Sequence, residues 1–145
     1  MATGILDTNA LILLERLDPA DLPAEPVITA VTLAELSVGP LVATDEQERA
    51  TRQRRLQEVE SIFEPLPLDA SAARTFGLVA ASLRRSGRKP AARAFDALIA
   101  ATAMANQLPL YTCNPRDYDG IEGLDVVGLA TSDGGAATVP DAPDG

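Results

Sequence analysis

Short apolar runs alternate with longer stretches of helical periodicity along this chain, and that alternation restricts its fold more than any other feature. Ile5-Leu6, Val27-Ile28-Thr29 and Leu110-Tyr111-Thr112 are too short for helices and are predicted strands. Val126-Val127 is read as a short final strand, and Pro65-Leu66-Pro67-Leu68 is the weakest strand because of its prolines. Predicted helices cover Ala10–Leu17, Thr32 to about Val38, Thr44–Phe63, Asp69 or Ser71 to about Ser86, and Phe95–Asn106. Gly39-Pro40 should stop or bend the second and Gly87 end the fourth, while the proline-rich segment Asp18–Pro26 reads as a loop. Such alternation indicates an α/β domain with a mainly parallel sheet, a class that binds ligands outside the carboxyl ends of its strands. The 145 residues suit one domain over residues 1–130, followed by a Gly/Ala/Pro/Asp tail over 131–145 that is expected to be disordered.

Four acids sit where an acid is locally awkward. Asp7 ends the run Gly4-Ile5-Leu6, and Glu35 interrupts the apolar helical pattern Val31-Leu33-Ala34-Leu36. Asp96 lies within Phe95-Asp96-Ala97-Leu98-Ile99-Ala100-Ala101, and Asp117 follows the strand ending at Thr112. Each has an ordinary explanation. Asp7 and Asp96 suit helix caps, Glu35 suits a capping box with Thr32, and Asp117 suits the turn Asn114-Pro115-Arg116-Asp117. A buried carboxylate is costly unless it is paired or binds a metal. Taken together, the four therefore point to one acidic pocket able to hold a divalent cation on oxygen ligands.

Composition narrows the chemistry. The chain has no histidine and one cysteine, Cys113, which excludes Ser-His-Asp and Cys-His catalysis, imidazole or thiolate zinc sites, and an internal disulfide. No apolar run approaches the roughly 20 residues of a membrane span, and the N-terminus lacks a basic, apolar leader, so a cytoplasmic location is expected. A net charge of −9 argues against a protein that coats nucleic acid. The segment Arg84-Arg85-Ser86-Gly87-Arg88-Lys89-Pro90-Ala91-Ala92-Arg93 has five basic residues and no acid, and leads into Asp96. It reads either as a phosphate guide, with Arg88, Lys89 and Arg93 binding substrate, or as a solvated helix end.

Leu6-Asp7-Thr8-Asn9, Thr32-Leu33-Ala34-Glu35-Leu36, Phe95 to Ala103 and Thr112-Cys113-Asn114-Pro115-Arg116-Asp117-Tyr118 occur in an order and at spacings familiar from one family. From Gly4 to about Leu129 the chain resembles the PIN-domain ribonucleases, and within them the VapC-type toxins of bacterial toxin–antitoxin pairs. The resemblance implies a three-layer α/β/α fold with a short, mainly parallel central sheet. It maps the family's acidic quartet onto Asp7, Glu35, Asp96 and Asp117, with Asp119 a second acid beside the last. Asn9, Thr112 and Asn114 fall at positions that face substrate. Cys113 stands where many relatives carry Arg.

Such enzymes are expected to cut RNA by metal-assisted hydrolysis, which needs no histidine. Magnesium, or manganese, suits an all-oxygen site better than softer metals, with Asp7 and Asp96 binding the ion directly and Glu35 and Asp117 acting through water or a second ion. The resemblance also implies an RNA substrate, a VapB-type antitoxin docked on the Thr44–Phe63 helix and the helix before it, and a homodimer. Three readings compete. A haloacid-dehalogenase-like phosphatase would need a second Asp where Asn9 stands. A receiver-type signalling module would need a Lys after a late strand, whereas Lys89 precedes a helix. A PIN fold serving only as an interaction module would have no use for the complete quartet.

Overall fold

Thr3–Leu6 forms β1, and its alternation sends Ile5 and Leu6 to opposite faces of the sheet, each fully buried. The structure, a computed structural model, describes residues 2–132, apart from the side chain of Ala92. After β1 come α1 (Thr8–Ile12), β2 (Glu25–Val27), α2 (Ala30–Val38) and α3 (Glu46–Ile62). The remaining elements are α4 (Ala70–Arg85), α5 (Ala94–Ala105), β3 (Leu110–Thr112) and β4 (Val126–Gly128). The strands form one sheet in the order β2-β1-β3-β4, every pair parallel, with Ile5 opposite Val27 on one side and Leu110 on the other. Both central strands therefore point their carboxyl ends the same way, and Asp7 and Thr112 lie at that edge.

Helices cover both faces, which gives the three layers. Leu6 packs with Ala10, Leu11 and Leu13 from the α1 region, Leu36 of α2 and Val59 of α3. Ile5 and Leu110 pack on the other face against Ile99, Ala100 and Ala103 of α5. The small residues Ala97 and Ala101 admit α4 closely, through Val79 and Leu83. Each Leu or Ile buried in this way contributes on the order of 1.5–3 kcal/mol. A close approach also explains Gly4, where a Cβ would lie 2.3 Å from the Tyr111 ring. Gly87, at φ 83°, ends the α4 segment in the left-handed conformation that glycine adopts without strain.

Several element boundaries differ from expectation. The helix predicted over Ala10–Leu17 begins at Thr8, because Asp7 caps it, and gives way after Ile12 to a 3-10 turn at Leu14–Arg16. The expected loop Asp18–Pro26 contains a 3-10 turn at Pro19–Asp21 and enters β2 two residues before the predicted Val27. Pro26 is tolerated there because β2 is an edge strand. Thr29, rather than Thr32, caps α2: its hydroxyl accepts the Thr32 amide at 3.2 Å. Gly39-Pro40 continues into a 3-10 turn, Gly39–Val42. Asp45 caps α3 and Asp69 caps α4. The Pro65–Leu68 segment makes a single parallel bridge, Leu66 to Thr29. Thr131, where a disordered tail was expected to begin, is buried and bridges Leu17, and the Ser132 amide donates to the Arg16 carbonyl at 2.9 Å. The rest of that tail lies outside the described residues.

Candidate active site

Asp7 leaves the end of β1 and caps α1 at once. Its Oδ1 accepts the Ala10 amide at 2.9 Å, and its Oδ2 accepts the Tyr118 hydroxyl at 3.0 Å. The Thr112 side chain, at the end of β3, is a further partner. The carboxyl is only 4% exposed, and burial raises its pKa against the pull of these hydrogen bonds. The cap explanation for Asp7 is thus correct and incomplete, since one oxygen serves the helix while the other faces the turn that follows β3.

Glu35, half-buried on α2, lies on the same side. Thr8 donates its hydroxyl to Glu35 Oε1 at 2.7 Å and sits 3.0 Å from the Thr32 hydroxyl. Burial raises the Glu35 pKa, and the charge on Asp7 adds to the rise. The expected capping box between Glu35 and Thr32 does not form, because Thr32 already lies within the helix that Thr29 caps.

Asp96 sits in the first turn of α5 without capping it; the cap position is Arg93, which makes no side-chain cap bond. The Asp96 carboxyl is pushed up to about 7, first by burial and then by the like charges of Asp117, Asp7 and Glu35 in turn, with Arg93 opposing. Asp117 stands on the 3-10 turn Pro115–Tyr118. Arg93 donates from Nη1 to Asp117 Oδ1 at 2.8 Å and lies 3.9 Å from Asp96 Oδ2. Asp96 therefore feels all three other acids of the quartet. Asp119 points elsewhere, pairing with Arg88 at 3.6 Å, so Asp117 is the fourth acid of this group.

The acids form a looser set than a ready-made cage. Among the described residues, no three carboxylates converge tightly enough to enclose an ion. The donor set nonetheless suits magnesium, which keeps several waters and is commonly held by one or two carboxylates. The like charges around half-buried Asp96 also leave a local excess of negative charge that a divalent cation would offset.

The residues expected to face substrate divide. Thr112 is fully buried, and its hydroxyl accepts the Asn114 amide at 3.0 Å, so both belong to the turn that carries Asp117. Asn9 is half-buried in α1, two residues beyond Asp7. Lys89 is exposed just before Pro90. The basic segment is less available than its composition suggests: Arg88 pairs with Asp119, Arg85 with Glu122 and Arg93 with Asp117. Cys113 is buried in the core cluster with Leu6. Thr8 and Tyr118 were missed by sequence reasoning as site residues. Both lay inside the quoted motifs, and a hydroxyl beside each motif acid was the available signal.

Residues 5–122 match the PIN domain family. Ribonuclease VapC5 of Mycobacterium tuberculosis is 39% identical over 125 residues, spanning 84% of this chain and 90% of its own. Ribonuclease VapC1 of Rickettsia felis is 28% identical over 133 residues, spanning 89% and 98%. Among solved structures, VapBC-5 from Mycobacterium tuberculosis, a member of the VapBC family of toxin–antitoxin systems, superposes with a TM-score of 0.77 at 37% identity, covering 88% of this chain and 99% of its own. DNA-bound VapBC from Salmonella typhimurium gives 0.71 at 26% identity, covering 88% and 98%.

Proposed function

Since this chain belongs to the PIN-domain family, and within it to the VapC ribonucleases of toxin–antitoxin pairs, we propose that its acidic pocket hydrolyses RNA phosphodiesters with a divalent cation, magnesium or manganese, as cofactor. The observation that carries this reading is that Asp7, joined by Tyr118 to the turn bearing Asp117, and Asp96, linked to Asp117 through Arg93, meet at the carboxyl edge of a parallel sheet.

Asp7 and Asp96 are the residues that would hold the ion, because Asp7 is fixed by hydrogen bonds to both oxygens and Asp96 lies among the other three acids. Bound there, the ion would make a water more acidic and offset charge growing on the phosphate oxygens. Glu35, steadied by Thr8, and Asp117, steadied by Arg93, would act through water or hold a second ion. Arg93 pairs with two acids of the pocket, and it would receive the RNA backbone together with Arg88 and Lys89, which precede it in the same basic segment; Asn9 and Asn114 would contact the substrate beside them.

The partner we propose is a VapB-type antitoxin. A groove of about 420 Å³ runs between the α1 region and α3, lined by Leu11, Ile12, Val59, Ile62 and Phe63 with Arg54 and Glu58 at its sides. Ile62, 72% exposed, supplies apolar surface that a partner would cover. Homodimerisation is proposed from the family alone. Among the described residues, no helix is long and apolar enough to cross a membrane.

The deciding experiment incubates the protein with RNA in EDTA and then with added magnesium or manganese, beside the Asp96→Asn variant. Cleavage is expected only for the parent protein with metal. Undiminished cleavage in EDTA would remove the metal reading, and no cleavage under any condition would favour an interaction module.

A further inference from the structure

Tyr118 is 3% exposed and packs in the same core cluster as Ile5, Ile99, Ala100 and Leu110, yet its hydroxyl ends 3.0 Å from Asp7 Oδ2. It closes the 3-10 turn Pro115–Tyr118, which also carries Asp117. Asp7 Oδ1 is held by the Ala10 amide, at the start of α1. The carboxylate is thus gripped at both oxygens by donors from two separate elements, with Thr112 a further partner, which fixes its plane.

From this geometry we infer that Tyr118 is a positioning residue: its hydroxyl locks the Asp7 carboxylate in the orientation that receives the divalent cation, and it joins the Asp117 turn to the end of β1 as one unit. The inference rests on the divalent-cation reading given above. A packing role alone would need only the ring, which phenylalanine supplies with the same shape. The hydroxyl is the part that touches the site.

The Tyr118→Phe substitution isolates it. Calorimetric titration of the full chain with manganese chloride should show binding weakened by about tenfold, the loss typical when a hydrogen bond to a metal ligand is removed. In RNA cleavage, KM for RNA should stay unchanged while kcat falls at limiting manganese and recovers at saturating manganese. Circular dichroism in EDTA should show the parent's fold, and a Tyr118→Leu variant that folds but binds the ion no better than Tyr118→Phe would support the hydroxyl as the operative group. Equal manganese affinity in the parent and the Phe variant overturns the role of Tyr118 alone. A parent protein that binds no divalent ion overturns the cofactor reading, and this inference with it.

Discussion

Arg93 lies between two acids, its guanidinium 2.8 Å from Asp117 and 3.9 Å from Asp96, and so supplies positive charge at the edge of an otherwise negative pocket. Both partners are about one-third exposed, so the pairing is screened and stays open to exchange with other anions or cations. A divalent ion would compete with Arg93 for these carboxylates, and an RNA phosphate would compete with the carboxylates for Arg93.

If Arg93 takes up a phosphate when RNA binds, Arg93→Gln should weaken RNA binding and reduce the slope of log affinity against log salt by roughly 0.7, the value for one contact to a single strand. Binding measured across a salt series checks this. An unchanged slope would leave Arg93 as a counter-ion only.

Asp7→Asn and Asp96→Asn should each abolish metal-dependent cleavage, a loss on the order of a thousandfold if the ion supplies several kcal/mol of barrier lowering. Asp119→Asn should leave cleavage near the parent rate, because Asp119 faces Arg88 and not the pocket. Single-turnover cleavage of an RNA substrate separates the two cases.

The metal-free protein should lose stability as pH rises from about 4 to about 7. The Asp96 carboxyl has a folded-state pKa of about 7 against 3.8 for the free side chain, so the folded state binds the extra proton within that window. Below the window the carboxyl is neutral in both states and costs nothing. Above it the folded state carries the full penalty, roughly 1–2 kcal/mol after allowance for the partial exposure of the side chain. Asp7 and Glu35, both raised by burial, act in the same direction. Urea unfolding in EDTA at pH 5 and pH 8 should show the decline in the parent and a smaller one in Asp96→Asn.

Gly4→Ala should destabilise the fold by about 1–3 kcal/mol, since the added methyl would meet Tyr111 at 2.3 Å and Pro23 at 3.0 Å. Calorimetry would read this as a lower Tm, and cleavage at low temperature should change less than the Tm does.

Much of this architecture was legible in the chain because it depends on local periodicity. The apolar run Phe95–Asn106, the cap at Asp69, one of two offered with Ser71, and the break at Gly87 follow from the side chains at those positions, whereas the cap at Asp45 was not read. The short elements were harder. Pro26 reads as a strand breaker unless its edge position is known, and the start of α1 depends on Asp7 having two roles. The acids were recognisable from their placement beside apolar runs. Their partners were not, because the pairings Thr8–Glu35, Arg93–Asp117 and Tyr118–Asp7 join residues far apart in sequence. For the same reason the basic segment looked freer than it is: composition counts its arginines but does not reveal the acids at 117, 119 and 122 that answer them.

The hydrogen bond between Tyr118 and Asp7 spans 111 positions of sequence. During synthesis, β1 leaves the ribosome long before the turn that completes the pocket, and β3 must be made before β1 gains its second neighbour. A nascent chain therefore carries Asp7 and Glu35 with only their local partners, the Ala10 amide and the Thr8 hydroxyl. The four acids can be gathered only once the turn Pro115–Tyr118 has been made, long after the first of them.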